Sequence, residues 1–357
     1  MNKIFYSKPS FTDSTWALLA ITRFLLALVV MISIGHLSDF TSEGSIFNYL
    51  KDFGGKTAVM VFLMVSGISV GYSYSENKNG FFKRRFLRIY PLYFMAILGT
   101  VILQFYVGSP YHVNNSMVFV AAGNATSIAN FLLLQGVVAL NIMYNSPVWS
   151  LSVEVFLYMM LPIFFILRTR FLYLIVIISL FFYIGHSYLP SISLFGFQHL
   201  MYAWPFILGF IITVRKKSWS IIPFILLGTY GIYYNFLNGT VFEKYSYVWF
   251  FFSVILIFII LYTKLNLSKR YLTFLNFLGT ISYPMYLVHI PLYIFLYHLG
   301  IRESYLFVLL VILICIPINY IFDVWFKKIF WKPLVNYIET RVKEFKLKRI
   351  SNKISKA

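Results

Sequence analysis

The sequence predicts an all-α fold: a polytopic membrane helix bundle of about ten transmembrane helices with both termini cytoplasmic. Composition is the first reason. Of 357 residues, 60% are hydrophobic and only 11% charged, with a mean hydropathy of +0.78. A soluble domain carries about 25% charged residues, and a chain this long with so few cannot cover its own surface with polar groups. The second reason is that apolar stretches close to the roughly 20 residues needed to cross the hydrocarbon core recur along the chain. The third is charge placement: 30 Lys and Arg stand against 11 Asp and Glu, a formal net charge of +19, and the basic residues fall in alternate connecting segments.

In order, the ten spans are Ser14 to Ile34, Thr57 to Tyr74, Tyr90 to Val107, Val148 to Leu167, Phe171 to Leu189, Phe197 to Val214, Ser218 to Leu237, Tyr247 to Thr263, Thr273 to Leu299 and Ser304 to Phe326. The stretch Ile128 to Ile142 is apolar but short, as expected of a re-entrant or interfacial segment. With the N-terminus inside, the inner segments hold 25 of the 30 basic residues, among them Lys83, Arg84, Arg85 and Arg88, whereas Lys51, Lys56, Lys244 and Arg302 are the outer ones. The positive-inside rule fits that count and orientation, since one missed helix would invert every later loop. The first apolar stretch carries Arg23 and has no small-x-small cleavage site, so it reads as a retained span.

Residues 1–334 form the expected transmembrane domain and 335–357 a basic tail. In that tail Val335, Ile338, Val342, Phe345 and Ile350 recur at helical spacing among Lys and Arg. It reads as an amphipathic helix on anionic membrane lipids or as a solvated end. Nucleic acid is not an expected partner, because the basic residues are dispersed and no binding motif accompanies them. Cys315 is the single cysteine, which excludes an intrachain disulfide and a Cys-based metal site. No metal is expected.

Ionisable residues inside spans cost roughly 2.5 to 3.5 kcal/mol each on insertion scales and are functional suspects by default. Well inside the spans they are Arg23, Glu154 and His289, with Asp323 near the inner end of the last span. Arg23 and Glu154 could also neutralise each other as a structural ion pair. Ser150, Glu154 and Tyr158 repeat every four residues, giving one helix a polar face. Arg85 and Arg88, three apart at the inner mouth of the third span, share a face if that segment is helical. Such a pair serves as anchoring charge or as a fork for phosphate groups. Around His289, the run from Gly279 to Pro291 places Ser282, Pro284 and small residues in mid-membrane, as in a bent helix lining a cavity.

Five segments in order resemble the acyltransferase 3 family of integral membrane acyltransferases. They are Thr22-Arg23-Phe-Leu-Leu-Ala-Leu-Val-Val, Phe62-Leu-Met-Val-Ser66-Gly67, Arg85-Phe-Leu-Arg88-Ile-Tyr-Pro91, Trp149-Ser-Leu-Ser-Val-Glu154 with Tyr158 and Pro162, and Ile281-Ser-Tyr-Pro-Met-Tyr-Leu-Val-His289. The resemblance runs along nearly the whole chain. It implies a ten-helix core and transfer of an acyl group, most often acetyl from acetyl-CoA, to hydroxyls of surface polysaccharides or lipids. It also implies that Arg23 and a His at the outer end of the first span form the catalytic motif, and that Arg85 and Arg88 meet the acyl donor. The family separates its Arg and His by ten residues, whereas twelve lie between Arg23 and His36. At 100° per residue that places His36 close to the opposite face unless the helix ends or bulges before it.

The expected protein is therefore an O-acetyltransferase of the bacterial inner membrane, acting on a surface or lipid-linked glycan, with acetyl-CoA as substrate and no permanently bound cofactor. Arg85 and Arg88, helped by Arg84, would hold the donor phosphates. The thioester would point into a cavity among the first, second, fourth and ninth spans. His36, or His289 if His36 faces away, would be the base, and Glu154 or Arg23 would orient it or stabilise the oxyanion. The rival from another class is a transporter or flippase of a lipid-linked oligosaccharide, for which intramembrane charges and bent helices are equally natural. The motif set and the lack of two similar halves speak against it.

Overall fold

The computed structural model describes residues 11–33, 37–40, 51–113, 117–188 and 195–354. Each of the ten apolar segments is mainly helical over its described residues. They form α1 (Asp13–Ile32), α2 (Gly55–Glu76), α3 (Phe81–Val107), α4 (Trp149–Ile166), α5 (Thr169–Ile184), α6 (Ala203–Phe210, carried on by a π turn Ile211–Arg215), α7 (Ile222–Leu237), α8 (Ser246–Tyr262), α9 (Lys269–His298) and α10 (Ser304–Ile318). α10 runs through a π-helical stretch, Asn319–Trp331, into α11 (Lys332–Ile354). Among the described residues, seven helices are long and apolar enough to cross a membrane, and α5, α6 and α8 are shorter apolar helices.

α6 is short for a local reason. Pro205 has no N–H to give to the carbonyl of Met201 four residues back, so the chain breaks at Tyr202 between a short helix, Phe197–Met201, and α6. Ser179 of α5 takes over the freed groups, donating to the Leu200 carbonyl at 2.6 Å and accepting from the Trp204 amide at 3.0 Å. The same compensation occurs in α9. Pro291 frees the Leu287 carbonyl, and Asn145 Nδ2 donates to it at 2.9 Å, so α9 continues unbroken through both of its prolines. Broken backbone is tolerated at membrane depth only where other groups satisfy it in this way.

α1 lies along α9, and α6 along α2, as the most extensive helix pairs. Small residues allow both approaches. A Cβ at Gly67 of α2 would sit 2.1 Å from the Phe206 carbonyl oxygen, and one at Gly209 of α6 would sit 2.2 Å from that of Met64. A Cβ at Gly279 of α9 would stand 2.5 Å from the Ala20 Cβ of α1. Gly67 of the resemblance motif is thus a packing residue.

The helices alternate in direction, and the Lys- and Arg-rich connections gather at one end of the bundle. There Phe11 meets Tyr72 with ring centroids 4.5 Å apart, Tyr74 meets Phe165 at 4.6 Å, Arg215 donates to the Leu167 carbonyl at 2.6 Å, and the Leu267 amide donates to Ser14 at 3.0 Å. α11 starts from this basic end, where Lys83 of α3 pairs with Glu339 at 2.6 Å and Lys343 adds a second contact at 2.9 Å. Hydrogen bonds from Lys83 and Lys343 hold the Glu339 carboxyl down at about 2. A carboxyl lowered in the fold contributes fully above its ordinary value of 4.5 and is lost as pH falls through about 2. Being exposed and water-screened, the pair adds little to stability. Tyr337, Ile338, Val342 and Phe345 of this helix are exposed.

At the opposite end, Ser33 meets Gly55, Phe53 meets Trp249 and Tyr106 meets His298. The uncharged connection from Gly108 to Pro147 lies here. It holds a small antiparallel hairpin, β1 (Tyr111–Val113) with β2 (Met117–Phe119), which the all-helical expectation lacked. Tyr, Val, Met and Phe fit a half-buried strand pair, and the segments are too short to register as a periodic signal. The stretch around Ile128 to Ile142 is a short helix, Asn124–Phe131, followed by tight turns. Its buried amides do the work of charges: Asn130 donates to the Leu140 carbonyl at 2.9 Å and Gln135 to that of Val148 at 2.9 Å.

Candidate active site

A cavity of about 310 Å³ opens in the half of the bundle nearer the basic end. α1 contributes Ala20 and Arg23, α2 contributes Phe62, Ser66 and Ser69, and α4 contributes Glu154 and Tyr158. Asn276, Gly279, Thr280, Ser282 and Tyr283 of α9 form another wall. α3 closes it with Arg85, Arg88 and Ile89, and the π-helical stretch adds Asp323. The cavity among the first, second, fourth and ninth helices thus exists, with α3 and the last helix as additional walls.

α3 begins at Phe81, ahead of the apolar stretch, so the basic cluster is helical and Arg85 and Arg88 share a face. Arg85 is half-buried, its guanidinium 5.4 Å from the Phe81 ring centre and 5.9 Å from that of Tyr158. Arg88 is exposed along the cavity wall. Arg84 faces away. Its guanidinium donates to the carbonyls of Asn79 at 2.5 Å and of Asn77, closing the loop ahead of α3, and it does not line the cavity.

Arg23 and Glu154 do not pair directly: no ion pair joins them, and each has hydroxyl partners instead. Arg23 Nη2 donates to Ser69, whose own hydroxyl donates to the Val65 carbonyl at 2.8 Å. Glu154 Oε1 accepts from both Ser66 and Tyr158, whose oxygens lie 2.7 Å apart. The i, i+4 spacing of Glu154 and Tyr158 makes this possible from one helix face. A mutual neutralising pair would have consumed both charges. As built, both line open space. Asp323 is engaged by Lys327 at 2.8 Å, one turn on, so three guanidinium groups face the cavity with Glu154 as the one carboxylate lacking a cationic partner within 4 Å. The excess charge is positive and suits an anionic ligand.

Beyond Glu154 the cavity adjoins a second, smaller chamber. Phe62, Glu154 and Tyr283 line both. The far wall carries Ser150 and Tyr286, which share a hydrogen bond while the Tyr286 hydroxyl also donates to the Pro147 carbonyl at 2.7 Å. Tyr283 ties α9 to α3 by donating to the Ile89 carbonyl at 2.8 Å.

The two histidines are placed differently. His289 is fully buried, one turn beyond Met285, and lines neither space. Its Nδ1 faces the carbonyls of Met285 at 3.1 Å and Tyr286 at 2.9 Å. Two acceptors there require the proton on Nδ1, which makes Nε2 the basic nitrogen of the neutral ring. His36 lies outside the described residues. α1 ends at Ile32, with Ser33 extended. The helix therefore stops before position 36, and the helical-wheel argument that turned His36 away from Arg23 does not apply.

Ser66, Ser69 and Asn276 had no role assigned from sequence. Their signal was present but ambiguous: serines three apart on an apolar helix read equally as packing residues, and Ser66 shows its function only once α4 is beside α2. Among the described residues, no group of three or more His, Cys, Asp or Glu could hold a metal ion.

No curated protein and no solved structure matches the chain. The model of an acyltransferase domain, that of the acyltransferase 3 family, matches residues 19–324, which include every residue of both spaces. The chain belongs to the acyltransferase 3 family and is a multi-pass membrane acyltransferase.

Proposed function

We propose that the protein transfers acetyl from cytosolic acetyl-CoA to a hydroxyl of a bacterial surface or lipid-linked glycan at the inner membrane. The observation that carries this is the cavity in which Arg23, Arg85 and Arg88 surround a buried carboxylate. Acyl-CoA is a polyphosphate with a neutral thioester at its far end, and this cavity is graded in the same sense. Its basic end offers two guanidinium forks suited to phosphate oxygens. Its deep end offers Glu154, Arg23 and an apolar chamber. The basic end is the cytoplasmic one under the positive-inside rule, and the cytoplasm is where nucleotide-based donors are found.

In the reaction the acceptor oxygen attacks the thioester carbonyl carbon. A C–O bond forms, the C–S bond breaks, and the hydroxyl proton ends on the released CoA thiol. Arg23 stabilises the oxyanion that develops on the carbonyl oxygen. His36 takes the hydroxyl proton, since the family pattern has a His at the outer end of the first span and His289 lines neither space. Glu154 holds the positive charge that develops on the base or its surroundings, and Ser66 and Tyr158 fix that carboxylate in place. The glycan acceptor would reach the deep end from the uncharged outer side, where Asn and Gln amides replace charges.

Mass spectrometry of surface polysaccharide from cells with and without the gene tests this reading. The expected result is a loss of one acetyl mass per modified unit on chains of unaltered length. Lost or shortened chains would instead indicate transport or polymerisation, and an unchanged glycan in both respects would refute the acceptor class.

A further inference from the structure

The small chamber beyond Glu154 is not needed to explain donor charge recognition, yet it adjoins the donor cavity across three shared wall residues. It measures about 20 Å³. Roughly 10–15 Å³ admits one water-sized group, so this space takes a group of one or two heavy atoms and excludes a four-carbon chain. Its walls are aliphatic: Leu26, Ala27 and Val30 from α1, and Ala58, Val59 and Leu63 from α2. All six are buried. The neck is formed by Phe62, Glu154 and Tyr283, the residues common to both spaces. Polar groups appear only at the neck and on the far wall, where Ser150 and Tyr286 are bonded to each other.

We infer that this chamber receives the acyl chain of the donor, and that its α1 and α2 walls set the length of the acyl group transferred. This deepens the acyltransferase reading and rests on it. With the phosphates of CoA at Arg85 and Arg88, a thioester at the neck has its carbonyl beside Glu154 and the Arg23 side of the cavity. Its alkyl end then has one apolar place to go. A methyl group fits the chamber, and each further methylene must displace a buried wall. One methylene in such a pocket typically changes selectivity about 10- to 200-fold. The walls are also held against movement. Ala27 and Val30 lie on α1, the helix most extensively packed on α9, and α2 is locked to α6 at Gly67 and Gly209.

The test uses the full chain in detergent or liposomes, with acetyl-CoA and butyryl-CoA compared as donors to native membrane glycan and free CoA as a competitor. Val30→Ala and Val59→Ala each remove two wall methyls with modest loss of packing, and Ala27→Val fills the chamber. The expected result is that either enlarging variant raises butyryl relative to acetyl transfer at least about 10-fold. Ala27→Val should lower acetyl transfer by a similar factor while competition by free CoA, which has no acyl chain, stays unchanged. An acetyl-to-butyryl ratio within twofold of wild type in all three variants, each eluting as a folded monodisperse protein, overturns the chamber's role. A wild-type protein that transfers no acyl group from either donor overturns the acyl-CoA reading beneath it, so the two failures are distinguishable.

Discussion

Glu154→Gln is expected to lower acyl transfer by at least about 100-fold while the bundle stays folded and the donor stays bound. A positioned general acid–base or charge-stabilising group contributes typically about 10²–10⁴-fold, and Glu154 is the one carboxylate on the cavity wall without a cation paired to it. Glutamine keeps the shape and the carbonyl oxygen, so Ser66 and Tyr158 can still donate to position 154. What disappears is the negative charge. The loss should therefore fall on kcat and leave the donor KM nearly unaltered. Steady-state kinetics with acetyl-CoA distinguish this from a packing defect, which would also lower the yield of folded protein. Activity within a few-fold of wild type would remove Glu154 from the chemistry.

The second large effect is expected at the mouth of the cavity. Arg85→Ala with Arg88→Ala should weaken acetyl-CoA binding at least about 100-fold, since hydrogen bonds to charged groups contribute roughly 1.5–3 kcal/mol each and a 1.4 kcal/mol difference is tenfold. Isothermal titration of the purified protein with acetyl-CoA reads this directly. Arg84→Ala is the internal control: its guanidinium holds the loop carbonyls of Asn77 and Asn79 and does not line the cavity. It should leave binding within a few-fold of wild type. Equal losses from all three positions would mean that net positive charge, and not the two guanidinium groups lining the cavity, attracts the donor.

Much of this arrangement was legible before any coordinates. The apolar segments suffice to place the helices, and the clustering of Lys and Arg marks the end at which alternate connections gather. The spacing of Arg85 with Arg88 and of Glu154 with Tyr158 is enough to set each pair on one face. What the spacing could not show was partnership across helices. Arg23 and Glu154 could have been an ion pair, the alternative to a functional role, because they are opposite charges in a costly environment. The serines that engage them instead, Ser66 and Ser69, became visible only when α2 was placed between α1 and α4. Arg84 looked equivalent to its neighbours by charge, and at 100° per residue it lies only about 40° from Arg88; what sets it apart is the capture of its guanidinium by the loop carbonyls of Asn77 and Asn79. The break at Tyr202 and the hairpin in the connection from Gly108 to Pro147 were hidden for another reason: they depend on a single proline and on strands of three residues, below the length at which periodicity is informative.

Transfer of an acyl group from a CoA thioester to a membrane-associated hydroxyl in this cavity can be followed directly. Membranes from cells carrying the wild-type chain, the Glu154→Gln chain or no chain can be given acetyl-CoA labelled in the acetyl carbonyl, and label counted in the extracted glycan and lipid-linked glycan. The expected result is label with the wild-type chain and background levels with the other two. Equal label in all three membranes would contradict acyl transfer by this cavity.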